Sequence, residues 1–241
     1  MSKHLLTVMI GMICILAPWI SLGSDFQQQQ STLYPFKQTV EIQEDFLDTV
    51  SVSGTIGSSR FTTINGTSSS QTGEANRPGI MRRDTSAVPG THTTTFLGSG
   101  AGSFLSSTNH QIIWAVRLNT NDANTTVRIG SGESPTANPP NDGIYFEKLD
   151  ADTNWFCITR SGGAQTRTDS TVPVNTSFTT LAYTRNSTGA QFRINDALVC
   201  SQSANVPTGV VRSLVNIVNS AAASKTIDLD YFQLRLTGIS R

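Results

Sequence analysis

Charged residues are scarce in this sequence, and the two signs balance. Only 14% of the 241 residues are charged, with 17 basic and 17 acidic side chains. Proteins that bind nucleic acid or an anionic membrane surface carry a basic excess on one face. We therefore expect no nucleic-acid partner, and a membrane contact only through the N-terminal segment described below, if that segment stays uncleaved.

Cysteine and histidine are also rare, with three of each. The few histidines and cysteines are too far apart in the sequence to indicate a zinc site, and no Gly-x-Ser-x-Gly motif occurs. Beyond the N-terminal segment only Cys157 and Cys200 remain. If the protein is exported they could form one disulfide; otherwise they are two free thiols in strands.

Amphipathic helical periodicity is missing beyond the N-terminus, and a period of two replaces it. In "QIIWAVRLN", for example, Ile112, Trp114 and Val116 fall on one face. Turn residues separate the runs, and Asn195-Asp196 fits the corner of a tight hairpin. Short, evenly spaced strands of this kind predict an all-β fold, an antiparallel two-sheet sandwich over residues 39–241.

The N-terminus differs from the rest of the chain. Lys3 precedes the apolar run Leu5 to Ile20, and small residues follow at Ser21 and Gly23. We interpret residues 1–23 as a signal peptide or a membrane anchor. Residues 24–38 contain a run of glutamines and are expected to form a flexible lead-in.

The stretch "NWFCITRSGGAQTRTD" has the pattern of a hairpin that turns at Ser161 to Gly163. Its first strand places Phe156 and Ile158 on one face, and we expect that face to point into the core. Trp155 would then be exposed near Arg160. An exposed aromatic beside an arginine suits contact with a sugar or a protein, so we take Trp155, Arg160 and Tyr145 as candidate ligand-binding residues.

Calcium is the metal that the sequence best accommodates. "NTNDAN" offers side-chain oxygens at Asn119, Asn121, Asp122 and Asn124, which could bind a cation in a sandwich loop. "DADTN", residues 150–154, begins like a calcium-binding loop but has Trp155 where the turn glycine belongs. Asn and Asp are also common turn residues, so no cofactor is the alternative.

Several short stretches resemble single-domain structural proteins of tailed bacteriophages. They are "RPGIMRRDT", "IIWAVRLN", "GIYFEKLDADTNWFCITRSGG", "TRTDSTVPV", "FTTLAYTRNSTGAQFRINDALV" and "KTIDLDYFQLRL", within residues 46–236. The resemblance implies a concanavalin A-like jelly roll on the surface or tail of a virion.

Glycosidase chemistry requires two carboxylates about 5–10 Å apart. Asp228 and Asp230 share a strand face, but the Glu-x-Asp-x-x-Glu strand of sandwich-fold glycosidases is absent. We therefore expect these two carboxylates to be structural, and the protein not to be an enzyme.

The sequence thus favours a non-enzymatic structural or adhesion component of an extracellular assembly, most simply a virion surface or tail protein. Its loops Gly130 to Gly143 and Asn119 to Asn124 would face host glycans, further copies of the chain or other assembly proteins. The alternative is a secreted, lectin-like carbohydrate-binding module. We expect a virion or extracellular location in either case.

Overall fold

The regular structure of the described residues consists of sixteen strands in two stacked sheets. The computed structural model describes residues 38–46, 61–64, 67–71, 74–77, 79–97, 103–134 and 136–239. The predicted all-β sandwich is confirmed, since no helix occurs in these residues and their strands form two antiparallel sheets. Accordingly, no described helix could span a membrane. The leader, residues 1–23, and all but the last residue of the lead-in, residues 24–38, lie outside the described part of the chain.

One sheet, here called sheet I, contains both the first and the last described strands. In spatial order it comprises β14 (Ala197–Gln202), β13 (Gly189–Ile194), β12 (Thr179–Asn186), β7 (Asn109–Leu118), β16 (Thr226–Ile239), β4 (Ile80–Asp84) and β3 (Thr67–Gln71), with β1 (Gln38–Glu44) also pairing with β16.

Sheet II packs against sheet I. Its order is β11 (Ala164–Pro173), β10 (Asn154–Ser161), β9 (Gly143–Lys148), β8 (Thr125–Gly132), β15 (Val210–Asn219), β5 (His92–Leu97) and β2 (Phe61–Ile64), with β6 (Ser103–Leu105) also pairing with β15. In both sheets many neighbouring strands are distant from each other in the sequence, which is typical of a jelly roll.

The alternation of apolar residues on β7 sets the inner face of sheet I. Ile112, Trp114 and Val116 are each at most 1% exposed. Trp114 lies 4.4 Å from Phe232 of β16 and 5.8 Å from Phe61 of β2, measured between ring centroids. Rings from both sheets therefore meet in one core, and burial of such large apolar surfaces is the main stabilising term of the sandwich.

The predicted turns are present. Asn195 and Asp196 connect β13 to β14 with φ of 47° and 66°, values that Asn and Asp tolerate better than most residues. Gly162 and Gly163 connect β10 to β11, also with positive φ. The predicted hairpins are confirmed at both places.

A disulfide between Cys157 of β10 and Cys200 of β14 joins the two sheets. Both cysteines belong to the buried apolar core.

Candidate functional site: a loop pocket closed by lysine

Two loops meet at one end of the sandwich, the end at which β7 terminates. The first, residues 119–124, connects β7 to β8, and the second, residues 149–153, connects β9 to β10. Between them lies a cavity of about 220 Å³. Its lining, here called the loop pocket, consists of Asn121, Asp122, Ala123, Lys148, Asp150, Ala151, Asp152, Thr153 and Val174.

Lys148 holds the two loops together. It pairs with Val127 at the end of β9, on the same inward-facing side as Ile144 and Phe146, and it is only 2% exposed. Its ammonium donates hydrogen bonds to the carbonyl oxygens of Asp122 and Thr125, each at 2.8 Å. Burial lowers the pKa of Lys148, while nearby aspartates favour the charged form. The Lys148 ammonium is thus a buried cation surrounded by main-chain oxygens.

Asp122 is fixed by a second lysine. Its carboxylate accepts hydrogen bonds from Lys225 Nζ, from the Thr125 hydroxyl at 2.7 Å and from the Asn124 amide at 2.9 Å. Burial would raise the pKa of Asp122, but these three donors outweigh it and lower the pKa to about 2. Asp122 is therefore an anion at any physiological pH.

Two further carboxylates and an amide are positioned around the opening of the pocket. Asp150 Oδ1 accepts the Thr126 hydroxyl at 2.7 Å, and Asp152 Oδ2 accepts the Leu149 amide at 2.8 Å. Asn121 donates its side-chain amide to the Val174 carbonyl at 3.0 Å. Each of these side chains keeps one oxygen that makes no hydrogen bond within the described residues. Such oxygens can accept hydrogen bonds from ligand hydroxyls, and ionised acceptors form the stronger bonds.

The four residues proposed as calcium ligands have separate contacts. The Asn119 backbone amide donates to the Thr226 carbonyl at 3.1 Å, and the Asn124 carbonyl accepts the Ser220 amide at 3.1 Å. Asn121 and Asp122 make the hydrogen bonds described above. No group of three or more His, Cys, Asp or Glu residues within the described ranges is arranged to hold a metal ion. Calcium binding by these four residues and the alternative of no cofactor both stay untested.

The orientation predicted for the β10 strand is wrong. Trp155 is 1% exposed and packs in the core, whereas Phe156 lies on the outer face, 3.4 Å from the Arg167 guanidinium. The neighbouring strand decides this, because Cys157 pairs with Phe146 and both face inward. Trp155 therefore cannot contact a ligand from the surface.

Tyr145 and Arg160 lie on the outer face of sheet II, away from the loop pocket. Tyr145 is fully buried, so it cannot contact a ligand from the surface as a candidate ligand-binding residue would. A Cβ at Gly143 would lie 3.0 Å from its ring, so the absence of a side chain there lets the ring lie on the sheet. Burial and the charge of Glu147 raise the pKa of Tyr145 to about 12. Arg160 is half-buried and donates to Gln165 at 3.1 Å.

Asp228 and Asp230 are neutralised by arginines on the outer face of sheet I. Asp228 accepts two hydrogen bonds each from Arg82 and Arg117, at 2.6–3.1 Å, and Asp230 pairs with Arg77. Burial would raise the pKa of Asp228, but the arginine hydrogen bonds lower it. These ion pairs agree with the structural role expected for both residues.

The sequence did not indicate Lys148 or Lys225 as site residues. A lysine at the end of a strand is normally solvated, and its inward direction depends on the pairing of β9 with β8. The motif "DADTN" was set aside as a calcium-binding loop, yet its Asp150 and Asp152 both line the pocket.

The fold is a jelly-roll sandwich, and solved structures with the same fold include a carbohydrate recognition domain and a β-glucanase. No protein-family model matches the sequence, and neither does any curated protein.

Three solved structures illustrate the likeness. A protein of unknown function from Shewanella oneidensis is 14% identical with a TM-score of 0.63, covering 90% of this chain and 95% of its own. The carbohydrate recognition domain of Emp47p is 10% identical with a TM-score of 0.55, covering 82% and 95%. A β-glucanase from Bacillus licheniformis is 14% identical with a TM-score of 0.55, covering 82% and 97%. At these identities the likeness establishes the fold.

The prediction of a non-enzymatic protein, which rested on the absence of the Glu-x-Asp-x-x-Glu strand, is contradicted by the enzymes that share this fold. Besides the Bacillus enzyme, the structures that share it include further β-glucanases and a laminarinase, over at least 80% of this chain. The fold therefore gives no ground for excluding glycan hydrolysis.

Proposed function

We propose that this protein is a carbohydrate-recognition domain and that the loop pocket binds a sugar. The observation that carries the proposal is the set of pre-positioned oxygens of Asn121, Asp150 and Asp152 around a cavity whose floor is closed by Lys148. Adjacent hydroxyls of a sugar ring can donate to such carboxylate and amide oxygens. Ala123, Ala151 and Val174 add an apolar wall for the C–H face of the ring.

The size of the pocket suggests what it holds. Pockets for drug-sized ligands measure roughly 300–1,000 Å³, and a cavity of about 220 Å³ is smaller. One terminal or branching sugar unit fits this volume better than several consecutive units. The fixed hydrogen bonds of the two loops mean that little ordering accompanies binding, which favours affinity.

We also propose an extracellular or virion-associated location, in which the sandwich presents this pocket to a glycan while other surfaces contact copies of the chain or other assembly proteins. The inter-sheet disulfide supports the location, because such a bond is rare in the cytosol. The carbohydrate recognition domain among the similar folds supports the ligand class.

The test is a glycan-binding panel that includes mixed-linkage β-glucan and laminarin oligosaccharides, read by isothermal titration and followed by chromatography of the products. We expect wild-type binding and a loss of at least tenfold in affinity for Asp150→Asn and Asn121→Ala. Asp196→Asn is the matched control, since Asp196 is exposed and does not line the loop pocket. No binding to any glycan, or equal affinity in all variants, would overturn the proposal. Formation of shorter oligosaccharides would show that the protein also hydrolyses the glycan that it binds.

A further inference from the structure

A row of polar side chains crosses sheet I near the residue at which β7 begins. The row follows the strand pairing. Arg235 of β16 lies opposite Gln111 of β7, and Gln111 lies opposite Thr184 of β12. Thr184 in turn lies opposite Gln191 of β13, and Gln191 lies opposite Ser201 of β14. These five residues, here called the polar row, thus occupy matching positions on five adjacent strands.

The polar row lies on the outer face of the sheet. Each of its residues is next in sequence to a member of the buried core, in chain order Ile112, Tyr183, Phe192, Cys200 and Leu234. Successive side chains of a strand point to opposite faces, so the side chains of the row point outward. Neighbouring strands lie about 4.8 Å apart, which makes the row roughly 19 Å long.

Two neighbouring cavities lie along the polar row. The first, of about 250 Å³, is lined by the row residues of β16, β7 and β12. The second, of about 150 Å³, is lined by those of β13 and β14. Asn186 lines both cavities, so the two are adjacent. The row therefore follows an indented part of the surface.

The side chains of the polar row are free to bind a ligand. Three of them are exposed and two are half-buried. None of the five makes a side-chain hydrogen bond or an ion pair within the part of the chain that the structure describes. The same face differs near the other end of β7, where Asp228 is bound by Arg82 and Arg117. There the polar groups satisfy one another, whereas along the row they do not.

The composition of the two cavities favours a neutral ligand. None of their lining residues, all of which the structure describes, is Asp or Glu, and Arg235 is the outward-facing cation among them. Amides and hydroxyls both donate and accept hydrogen bonds, as sugar hydroxyls do, while carboxylates only accept and ammonium groups only donate. A polyanion would require a cluster of cationic side chains.

We propose that the polar row binds a linear, neutral polysaccharide that runs across the strands of sheet I. The row offers a hydrogen-bonding side chain at each strand, over a length that several consecutive sugar units occupy. Each contact is weak, so measurable affinity requires several units at once. This site is separate from the loop pocket, which suits one sugar unit, and it does not depend on the function proposed for that pocket.

The test uses Asp150→Asn as the parent protein, so that the loop pocket contributes little. The neutral probes are soluble mixed-linkage β-glucan, laminarin and galactomannan, and the charged probes are polygalacturonate and chitosan. Affinity electrophoresis and isothermal titration are the readouts. Short oligosaccharides cover few residues of the row, so their binding to wild type reports on the loop pocket instead. Failure of the one site is thereby distinguished from failure of the other.

We expect at least one neutral polymer to bind the parent and to lose tenfold or more in affinity when Gln111→Ala and Gln191→Ala are added. Gln165→Ala is the matched control, because Gln165 is exposed on the outer face of sheet II. Thermal unfolding checks the fold, and Gln191→Ala alone replaces the pair if the unfolding temperature falls. No binding of a neutral polymer, equal binding after these substitutions, or stronger binding of a charged polymer overturns the proposal.

Discussion

The ammonium of Lys148 lies 2.8 Å from the main-chain oxygen of Asp122, so a side chain of β9 closes the loop that follows β7. The same ammonium lies 2.8 Å from the Thr125 oxygen and within 3.4 Å of the Leu149 and Asp150 oxygens. One buried cation thereby fixes both loops of the candidate sugar pocket.

Replacement of Lys148 by methionine should destabilise the protein by about 3 kcal/mol, because buried carbonyl oxygens lose their donor. Methionine keeps the apolar stem and removes the charge. The free energy of unfolding from urea denaturation measures the effect. A change below about 1 kcal/mol would mean that water replaces the ammonium without loss.

Calcium should leave the unfolding temperature of wild type unchanged, because ammonium groups already neutralise the oxygens of this region. The measurement is thermal unfolding with millimolar calcium and with a chelator. A saturable rise in Tm, lost in Asp122→Asn, would instead support calcium binding by Asn119, Asn121, Asp122 and Asn124.

Trp155→Ala and Phe156→Ala should differ strongly although the two residues are adjacent. Truncating a buried Trp costs about 3–5 kcal/mol. Phe156 lies half-buried under Arg167, and its loss should cost about 1 kcal/mol, mostly the cation–π contact. Urea denaturation of both variants checks the assignment, and a reversed order would place Phe156 in the core.

Loss of the Cys157–Cys200 disulfide should lower the free energy of unfolding by about 2–4 kcal/mol. The cross-link spans a sequence separation of 43 residues, and closing a loop of this length restricts the unfolded chain. Comparing oxidised with reduced wild type separates the cross-link from packing, which Cys→Ala variants would also change. Equal stability of the two forms would contradict the prediction.

Stability should fall as the pH drops from about 6.5 to 4, with His110 as one cause. Burial, with the charge of Arg185, lowers the pKa of His110 to about 4, against about 6.5 in the unfolded chain. Between these values the unfolded state binds the proton and the folded state does not, so acid favours unfolding. The full effect is about 3 kcal/mol.

The measurement for His110 is the free energy of unfolding between pH 7 and pH 4.5 for wild type and His110→Gln. In the folded protein this imidazole also lies 3.1 Å from the Tyr183 hydroxyl. The variant should show a clearly smaller slope. An identical slope in both proteins would assign the pH dependence to other groups.

The strands could be predicted from the sequence because their pattern is local. Ile112, Trp114 and Val116 alternate, and Asn195-Asp196 suits a tight turn, whichever sheet the strands join. The orientation of β10 could not be predicted in this way, since Trp155, Phe156 and Ile158 are apolar on both faces. Pairing with β9, a non-local property, decides it.

The site was predictable only in part for the same reason. Its oxygens are visible as Asp and Asn residues in two loops, yet nothing in the sequence shows that these loops meet. Lys148 was missed because a long cationic side chain in a strand is normally solvated, and only the assembled sandwich buries it.

The most direct measurement of the central claim is a crystal structure of the protein soaked with the oligosaccharide that binds best in the glycan panel. We predict one sugar unit in the loop pocket, with its hydroxyls within hydrogen-bond distance of Asp150, Asp152 and Asn121. A sugar bound instead on the outer face of either sheet, with the loop pocket holding only water, would contradict the account.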